Sequence, residues 1–143
     1  MVNTPLTGGC LCGAVRYSVS TPEPYASVCH CRMCQQWIGA PYFANFTVPA
    51  AEVTWQGEPV EWRSSRIAVR AHCGTCGTPL YWKGDREPEN YDISLMTLDD
   101  PSRLRPKEQI WATSAAAWPG LLPDLPAWPG EERSGEPFRR ATD

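Results

Sequence analysis

Cys29-His30-Cys31-Arg32-Met33-Cys34 brings three thiols and an imidazole into six residues. Cysteines at this C-x-C-x-x-C spacing can bind a soft metal ion, but three of them cannot complete a shell of four ligands. Closed structural zinc sites have four protein ligands, whereas a site with three leaves one position for water or substrate. The other cysteines of the chain therefore decide which kind of site this segment forms.

The remaining four cysteines occur as two pairs, Cys10/Cys12 and Cys73/Cys76. Glycines flank both pairs, which allows the backbone to bend closely around an ion. Together the two pairs can complete a four-thiolate site, so the group of three keeps an open position and no cysteine is unused. The alternative, in which Cys73/Cys76 joins two members of the triple, leaves three cysteines without a site. The spacing favours the four-plus-three division.

An open site of three thiolates predicts thiol chemistry. Three thiolates on a divalent cation give a net charge of minus one, so such a site is a poor generator of hydroxide. It still accepts another thiolate, and binding there lowers the pKa of a thiol from about 8.5.

Composition restricts the classes of protein that need to be considered. The 143 residues suit one domain, and 15 prolines and 11 glycines disfavour long helices. The net charge of -3 and the lack of a basic run disfavour nucleic acid as a partner. No apolar stretch approaches about 18 residues, so we expect no membrane span. Met1-Val2-Asn3-Thr4-Pro5 shows no basic region followed by an apolar one, so we expect a cytoplasmic protein. In a reducing compartment, seven cysteines indicate metal binding rather than disulfides.

Alternating apolar and polar residues predict many short strands and therefore a mainly β, single-domain protein with few short helices. Val53 to Trp55 and Val60 to Arg63, separated by Gly57-Glu58-Pro59, are expected to form a hairpin. Gln35 to Ile38 should form one helical turn, and Gln109 to Ala112 a final strand. We divide the chain into an N-terminal arm (1–6), a zinc-binding domain (7–128) and a C-terminal tail (129–143).

Three segments carry a family resemblance: Gly9-Cys10-Leu11-Cys12-Gly13-Ala14-Val15-Arg16-Tyr17, Cys29-His30-Cys31-x-x-Cys34 and Cys73-x-x-Cys76-Gly77. In order and spacing they resemble the glutathione-dependent formaldehyde-activating family, which shares its domain with centromere protein V. The resemblance covers roughly residues 7 to 128. It implies a β-tent fold of antiparallel sheets with two zinc sites per chain.

The resemblance also implies a role for each cysteine. Cys10, Cys12, Cys73 and Cys76 would hold a structural zinc, and Cys29, Cys31 and Cys34 a catalytic, open zinc. The implied activity is that of a carbon–sulfur lyase, in which formaldehyde and glutathione join to form S-hydroxymethylglutathione. This chain departs from the family at two positions. Gln109 stands where relatives often carry histidine, and Gln35 stands where they often carry arginine.

Several other residues are candidates for the site. We expect the ring of His30 to point away from the metal, although a fourth ligand or a proton shuttle is the alternative. Arginines suit the carboxylates of glutathione, and Arg32 is preferred to Arg66 and Arg70 because it lies inside the metal loop. Trp37 is the preferred aromatic contact for the substrate. Ordinary core packing is expected for Phe43 and Trp111.

Two functions from different classes therefore compete. The first is a metalloenzyme that acts on the adduct of a small thiol, such as glutathione, with formaldehyde or another small aldehyde. The second is a non-catalytic interaction module in which both zinc ions are structural. A nucleic-acid-binding zinc ribbon is disfavoured by the charge. The sequence does not indicate an oligomeric state.

Overall fold

The structure, a computed structural model, describes residues 4–128, so the tail of 129–143 lies outside the described residues. Over this range the chain is mainly β, as the sequence predicts, with one α-helix and several short 3-10 turns. No helix within it is long and apolar enough to cross a membrane. The elements, in chain order, are β1 (Leu6–Gly9), β2 (Arg16–Val19), β3 (Tyr25–Cys29), α1 (Arg32–Ile38), β4 (Phe43–Pro49), β5 (Val53–Gln56), β6 (Val60–Arg63), β7 (Ala68–His72), β8 (Pro79–Gly84), β9 (Asn90–Ser94) and β10 (Gln109–Ile110).

The strands form two sheets. The small sheet has the order β1-β2-β5, and the large sheet has the order β10-β3-β4-β9-β8-β7-β6. The described strand pairs are antiparallel, as the resemblance implies, except that the two-residue strand β10 runs parallel to β3. The backbone N–H groups of Val28 and His30 donate to the carbonyls of Glu108 and Ile110, each at 3.0 Å. The late segment therefore returns beside β3, next to the cysteine loop.

The hairpin expected from Val53 to Arg63 is not formed. β5 pairs with β2 in the small sheet, while β6 pairs with β7 at the far edge of the large sheet. Gly57 has a φ of +81°, and a Cβ there would lie 2.2 Å from the carbonyl oxygen of Ala14. The turn signal is real, but it carries the chain from one sheet to the other. The local sequence does not show which strands β5 and β6 pair with, because their partners, β2 and β7, lie outside this segment.

The two faces of the large sheet have different surroundings. Along β4, Phe46 and Val48 are fully buried in the core against the small sheet, whereas Asn45 and Thr47 point to the opposite side. This follows from the two-residue period of a strand. The core is filled by Leu6, Tyr17, Val19, Phe46, Val48, Leu80, Tyr81 and Ile93, among others. The opposite face is thereby free to line a cleft.

Asp99 joins the small sheet to the turn that follows β9. Arg16 donates to both of its carboxylate oxygens, at 2.8 and 2.5 Å, and the Thr7 hydroxyl donates at 2.6 Å. The bond from Arg16 lowers the pKa of Asp99 to about 2. The acidic Asp99-Asp100-Pro101 segment is therefore structural, since Asp100 caps the short turn Pro101–Arg103.

Candidate metal centres and an adjoining cleft

Cys10, Cys12, Cys73 and Cys76 converge at one point, although the two pairs are far apart in sequence. Their sulfur atoms all lie within 4.8 Å of one another, with 3.6 Å between Cys10 and Cys12 and 3.8 Å between Cys12 and Cys73. A tetrahedral site with Zn–S bonds of about 2.3 Å has sulfur–sulfur edges of about 3.8 Å. The size of this cluster therefore fits a zinc ion.

Hydrogen-bond donors also point at these sulfur atoms. The backbone N–H of Val15 donates to Cys10 Sγ at 3.2 Å, and that of Thr75 donates to Cys73 Sγ at 3.4 Å. The Thr78 hydroxyl lies 3.1 Å from Cys76 Sγ, and this contact lowers the pKa of Cys76 to about 5. Donors of this kind stabilise thiolates, which is the form that binds metal.

The second cluster is built by the junction of β3 and α1. Cys29 ends β3, Cys31 is the N-cap of α1 and Cys34 lies in its first turn. The three sulfur atoms lie within 4.8 Å of one another, and the Cys34 N–H donates to Cys31 Sγ at 3.3 Å. A hydrogen bond from Cys34 lowers the pKa of Cys29 to about 6, and the same contact raises the pKa of Cys34. The structure thus has the four-plus-three grouping.

His30 is not a member of this cluster. Its Nε2–H donates to Gln109 Oε1 at 2.8 Å, and its ring edge meets Tyr42 with the centroids 5.5 Å apart. The expectation that His30 turns away from the cysteines is confirmed. Gln109 thus has a structural role here, because it joins β10 to the cysteine loop.

Gln35 braces the same loop from the other side. It is buried, and its Nε2 donates to the carbonyl of His30 at 2.8 Å and to that of Ser114 at 3.0 Å. Its Oε1 accepts a bond of 2.6 Å from Arg32. The two departures from the family pattern, Gln35 and Gln109, both join the cysteine loop to the segment from 109 to 114.

Arg70 is the charged residue that the sequence ranked too low. It is only 3% exposed, and its Nη2 lies 3.8 Å from Cys34 Sγ while its Nη1 donates to Ser64 Oγ at 2.6 Å. The guanidinium also lies over the Trp37 ring, 5.4 Å from its centroid. Within residues 4–128 no carboxylate forms an ion pair with it. The neighbouring Cys29 raises the pKa of Cys34, whereas the bond from Arg70 acts to lower it. Because a buried charge requires compensation, Arg70 favours the thiolate form of Cys34.

A cleft of about 630 Å³ opens on this face of the large sheet. Its volume suits a small organic ligand. Cys29, Cys31 and Cys34 line it, whereas none of the four cysteines of the first cluster does. The other lining residues are Tyr25, Ser27, Arg32, Met33, Phe43, Asn45, Thr47, Ser65, Ile67, Arg70, Trp82, Asp92, Glu108, Ile110, Trp111 and Ser114.

Of the two residues predicted to contact the substrate, one lines the cleft and the other does not. Arg32 lines it, but Trp37 does not, since that ring packs behind Phe43 with the centroids 5.0 Å apart. Phe43 is buried and yet forms part of the cleft wall. The expectation of core packing is wrong for Trp111, which is 65% exposed and has a φ of +55°.

The cleft also contains polar residues that were not predicted, namely Ser27, Asn45 and Asp92. The alternation of side chains along the strands beside the Cys29 loop could have revealed them.

Comparison with known proteins agrees with this geometry. Residues 5–114 match the family described as glutathione-dependent formaldehyde-activating enzyme. The chain belongs to this family. The match includes both cysteine clusters and the strands that carry them.

One curated protein and one solved structure are also similar to this chain. An uncharacterized lyase of Schizosaccharomyces pombe is 35% identical over 75 residues, which is 52% of this chain and 55% of that protein. The aligned region thus spans about half the length of this curated relative. A crystal structure of a Rhodobacter sphaeroides protein is 24% identical, with a TM-score of 0.57, and covers 72% of this chain and 98% of that one. The latter similarity supports the fold alone.

Replacement of Arg70 by methionine should weaken metal binding at the three-cysteine cluster selectively. Loss of a hydrogen bond to a charged group predicts a decrease in zinc affinity on the order of tenfold or more at that cluster. The four-cysteine cluster should be unaffected. Competition with a coloured zinc chelator would measure both affinities.

Arg66→Met is the matched control, because Arg66 is exposed and does not line the cleft. Equal zinc affinities in the Arg70 and Arg66 variants would show that Arg70 does not stabilise the thiolates.

Proposed function

We propose that this protein is a zinc-dependent carbon–sulfur lyase-type enzyme that acts on the adduct of a small thiol with formaldehyde or another small aldehyde. Glutathione is the preferred thiol, since the chain belongs to the glutathione-dependent formaldehyde-activating family. The relative from Schizosaccharomyces pombe that is named a lyase supports the same class of reaction. We place the enzyme in the cytoplasm, because its seven cysteines are all free and need a reducing compartment.

The observation that carries the proposal is the different exposure of the two cysteine clusters to the cleft. The cluster of three opens into a cavity of about 630 Å³, and the cluster of four does not. A closed four-thiolate site stabilises a fold, whereas a site with three protein ligands can bind an exogenous one. This supports one structural zinc on Cys10, Cys12, Cys73 and Cys76 and one open zinc on Cys29, Cys31 and Cys34.

The donor sets of both clusters suit zinc, because thiolates are soft ligands that prefer it to magnesium or calcium. At the open cluster a zinc ion would supply an acceptor for the sulfur of a substrate thiol and so favour its thiolate form. Arg70 lies beside Cys34 and offsets part of the negative charge that an additional thiolate brings.

The reaction forms one bond and needs no redox partner. The substrate sulfur attacks the carbonyl carbon of formaldehyde, the C=O electron pair moves to oxygen, and that oxygen takes up the proton that the thiol has lost. Reversal of these steps cleaves the adduct. The protein contributes orientation and exclusion of water, since Phe43, Trp82 and Ile110 form apolar walls beside the cysteines. Arg32 is the proposed partner of a substrate carboxylate, with Trp37 supporting the wall behind Phe43.

Cys31→Ala should strongly weaken both thiol binding and catalysis while the fold persists. We expect a loss of turnover on the order of 100-fold or more, because a ligand of the open site is removed. Formation of S-hydroxymethylglutathione can be followed by NMR, and glutathione binding by calorimetry. Met96→Ala is a suitable control, since Met96 is 70% exposed and outside the cleft. Unchanged turnover and thiol affinity in Cys31→Ala would contradict the proposal.

A non-catalytic interaction module is the second candidate, and the rim of the cleft favours it. Ile67, Trp111 and Met33 line the cleft with exposed fractions of 63%, 65% and 45%. Exposed apolar groups of this kind also mark protein-binding surfaces.

The melting temperatures of Cys29→Ala and Cys73→Ala separate the two candidates. The enzyme proposal predicts a folded, inactive Cys29 variant and a Cys73 variant that has lost its cooperative transition, because only the closed site contributes strongly to folding. Equal loss of stability in both variants is the result that the module predicts.

A further inference from the structure

Asp92 is a carboxylate on the cleft face that has no cationic partner in the described chain. It lies on β9 among the residues that line the cleft. One of its carboxylate oxygens accepts a hydrogen bond of 2.6 Å from the Thr47 hydroxyl. The ion pairs found within residues 4–128 do not include it. Burial raises its pKa, while the bond from Thr47 acts in the opposite direction. A partly buried carboxylate in this state gains from a ligand cation.

The neighbours of Asp92 explain why its charge is not already compensated. Arg70, Trp82, Asp92, Thr47 and Tyr25 are successive cross-strand partners on five adjacent strands. Trp82 stands between Arg70 and Asp92 in this row, and Arg70 is directed instead to Cys34 and Ser64. The cationic and anionic groups of the cleft are thus kept apart.

We propose that Asp92 binds the ammonium group of the thiol substrate, and that the cleft therefore selects thiols whose amino group lies far from the sulfur. This inference rests on the proposed function. It concerns the specificity of the same cleft, and it assigns to Asp92 the γ-glutamyl amino group of a glutathione-like molecule.

The dimensions of the sheet agree with this assignment. Cys29 pairs with Phe43 on β4, and Asp92 pairs with Thr47, four residues further along β4 and on its other side. With about 3.3 Å per residue and about 4.8 Å between strands, the Cα atoms of Cys29 and Asp92 lie about 16 Å apart.

A glutathione molecule has a matching length. Eight bonds separate its sulfur from its amino nitrogen, which is about 10 Å in an extended chain. A sulfur–sulfur contact of about 3.8 Å at one end and a charge-assisted hydrogen bond of about 2.8 Å at the other extend the greatest reach to about 17 Å. In free cysteine only three bonds separate these atoms, so its amino group falls short of Asp92.

Polar groups between the two ends suit the peptide part of such a ligand. Ser27 and Asn45 form a cross-strand pair between the level of Cys29 and that of Asp92, and both line the cleft. The bond from Ser27 Oγ to Asn45 Oδ1 and that from Asn45 Nδ2 to the Phe43 carbonyl are both 3.4 Å. These bonds are long and therefore weak, so both side chains can be shared with the amides of a bound ligand.

The test compares glutathione with N-acetylglutathione, which keeps the thiol and both carboxylates but lacks the ammonium group. Calorimetry with the zinc-loaded wild-type protein should show that glutathione binds on the order of tenfold or more tightly. Asp92→Asn keeps the shape of the side chain and should bind the two thiols equally. Asp85→Asn is the matched control, because Asp85 is an exposed carboxylate paired with Arg63, and it should keep the preference.

Each outcome separates this inference from the function on which it rests. If the wild-type protein binds both thiols equally, or if Asp92→Asn keeps the preference for glutathione, the role of Asp92 is overturned and the proposed function stands. If neither thiol binds the zinc-loaded wild-type protein, the proposed function fails and the role of Asp92 fails with it. The comparison in the wild-type protein needs no variant and is independent of the folding of Asp92→Asn.

Discussion

The convergence of Cys10 and Cys12 with Cys73 and Cys76 is the constraint on which the rest of the structure depends. Four sulfur atoms within 4.8 Å join the loop after β1 of the small sheet to the loop after β7 of the large sheet. Thiolates at this separation repel one another unless a cation lies between them. A metal ion at this point would therefore tie the two sheets together, and its binding free energy would contribute to folding.

Because side chains alternate along the strands of the large sheet, one face packs in the core and the other lines the cleft. One face buries Phe46 and Ile93 against the small sheet, and the other presents Asn45, Asp92 and Arg70 to the cleft. The cysteine loop lies at the end of β3 on the cleft side, where β10 and Gln35 brace it. The cleft can thus contain buried polar and charged groups because the core on the opposite face contributes the stability.

The cysteine clusters, most strands and the end of α1 at Ile38 could be predicted from sequence, because each depends on local spacing. The partners of β5 and β6 could not, since the turn at Gly57 is compatible with a hairpin and with a crossover. The sequence also ranked Arg70 below Arg32 and did not single out Asp92. Both lie on strands distant in sequence from Cys29–Cys34, and only the register of the sheet brings them to the same cleft.

We propose that the seven cysteines form one closed and one open zinc site. The most direct measurement is the zinc content per chain during titration with a chelator of moderate affinity, with circular dichroism recorded in parallel. We predict two zinc ions per chain, of which one is removed first without loss of the β-sheet signal and the second only as the protein unfolds. A single zinc ion per chain, or the loss of both ions together with the fold, would contradict the account.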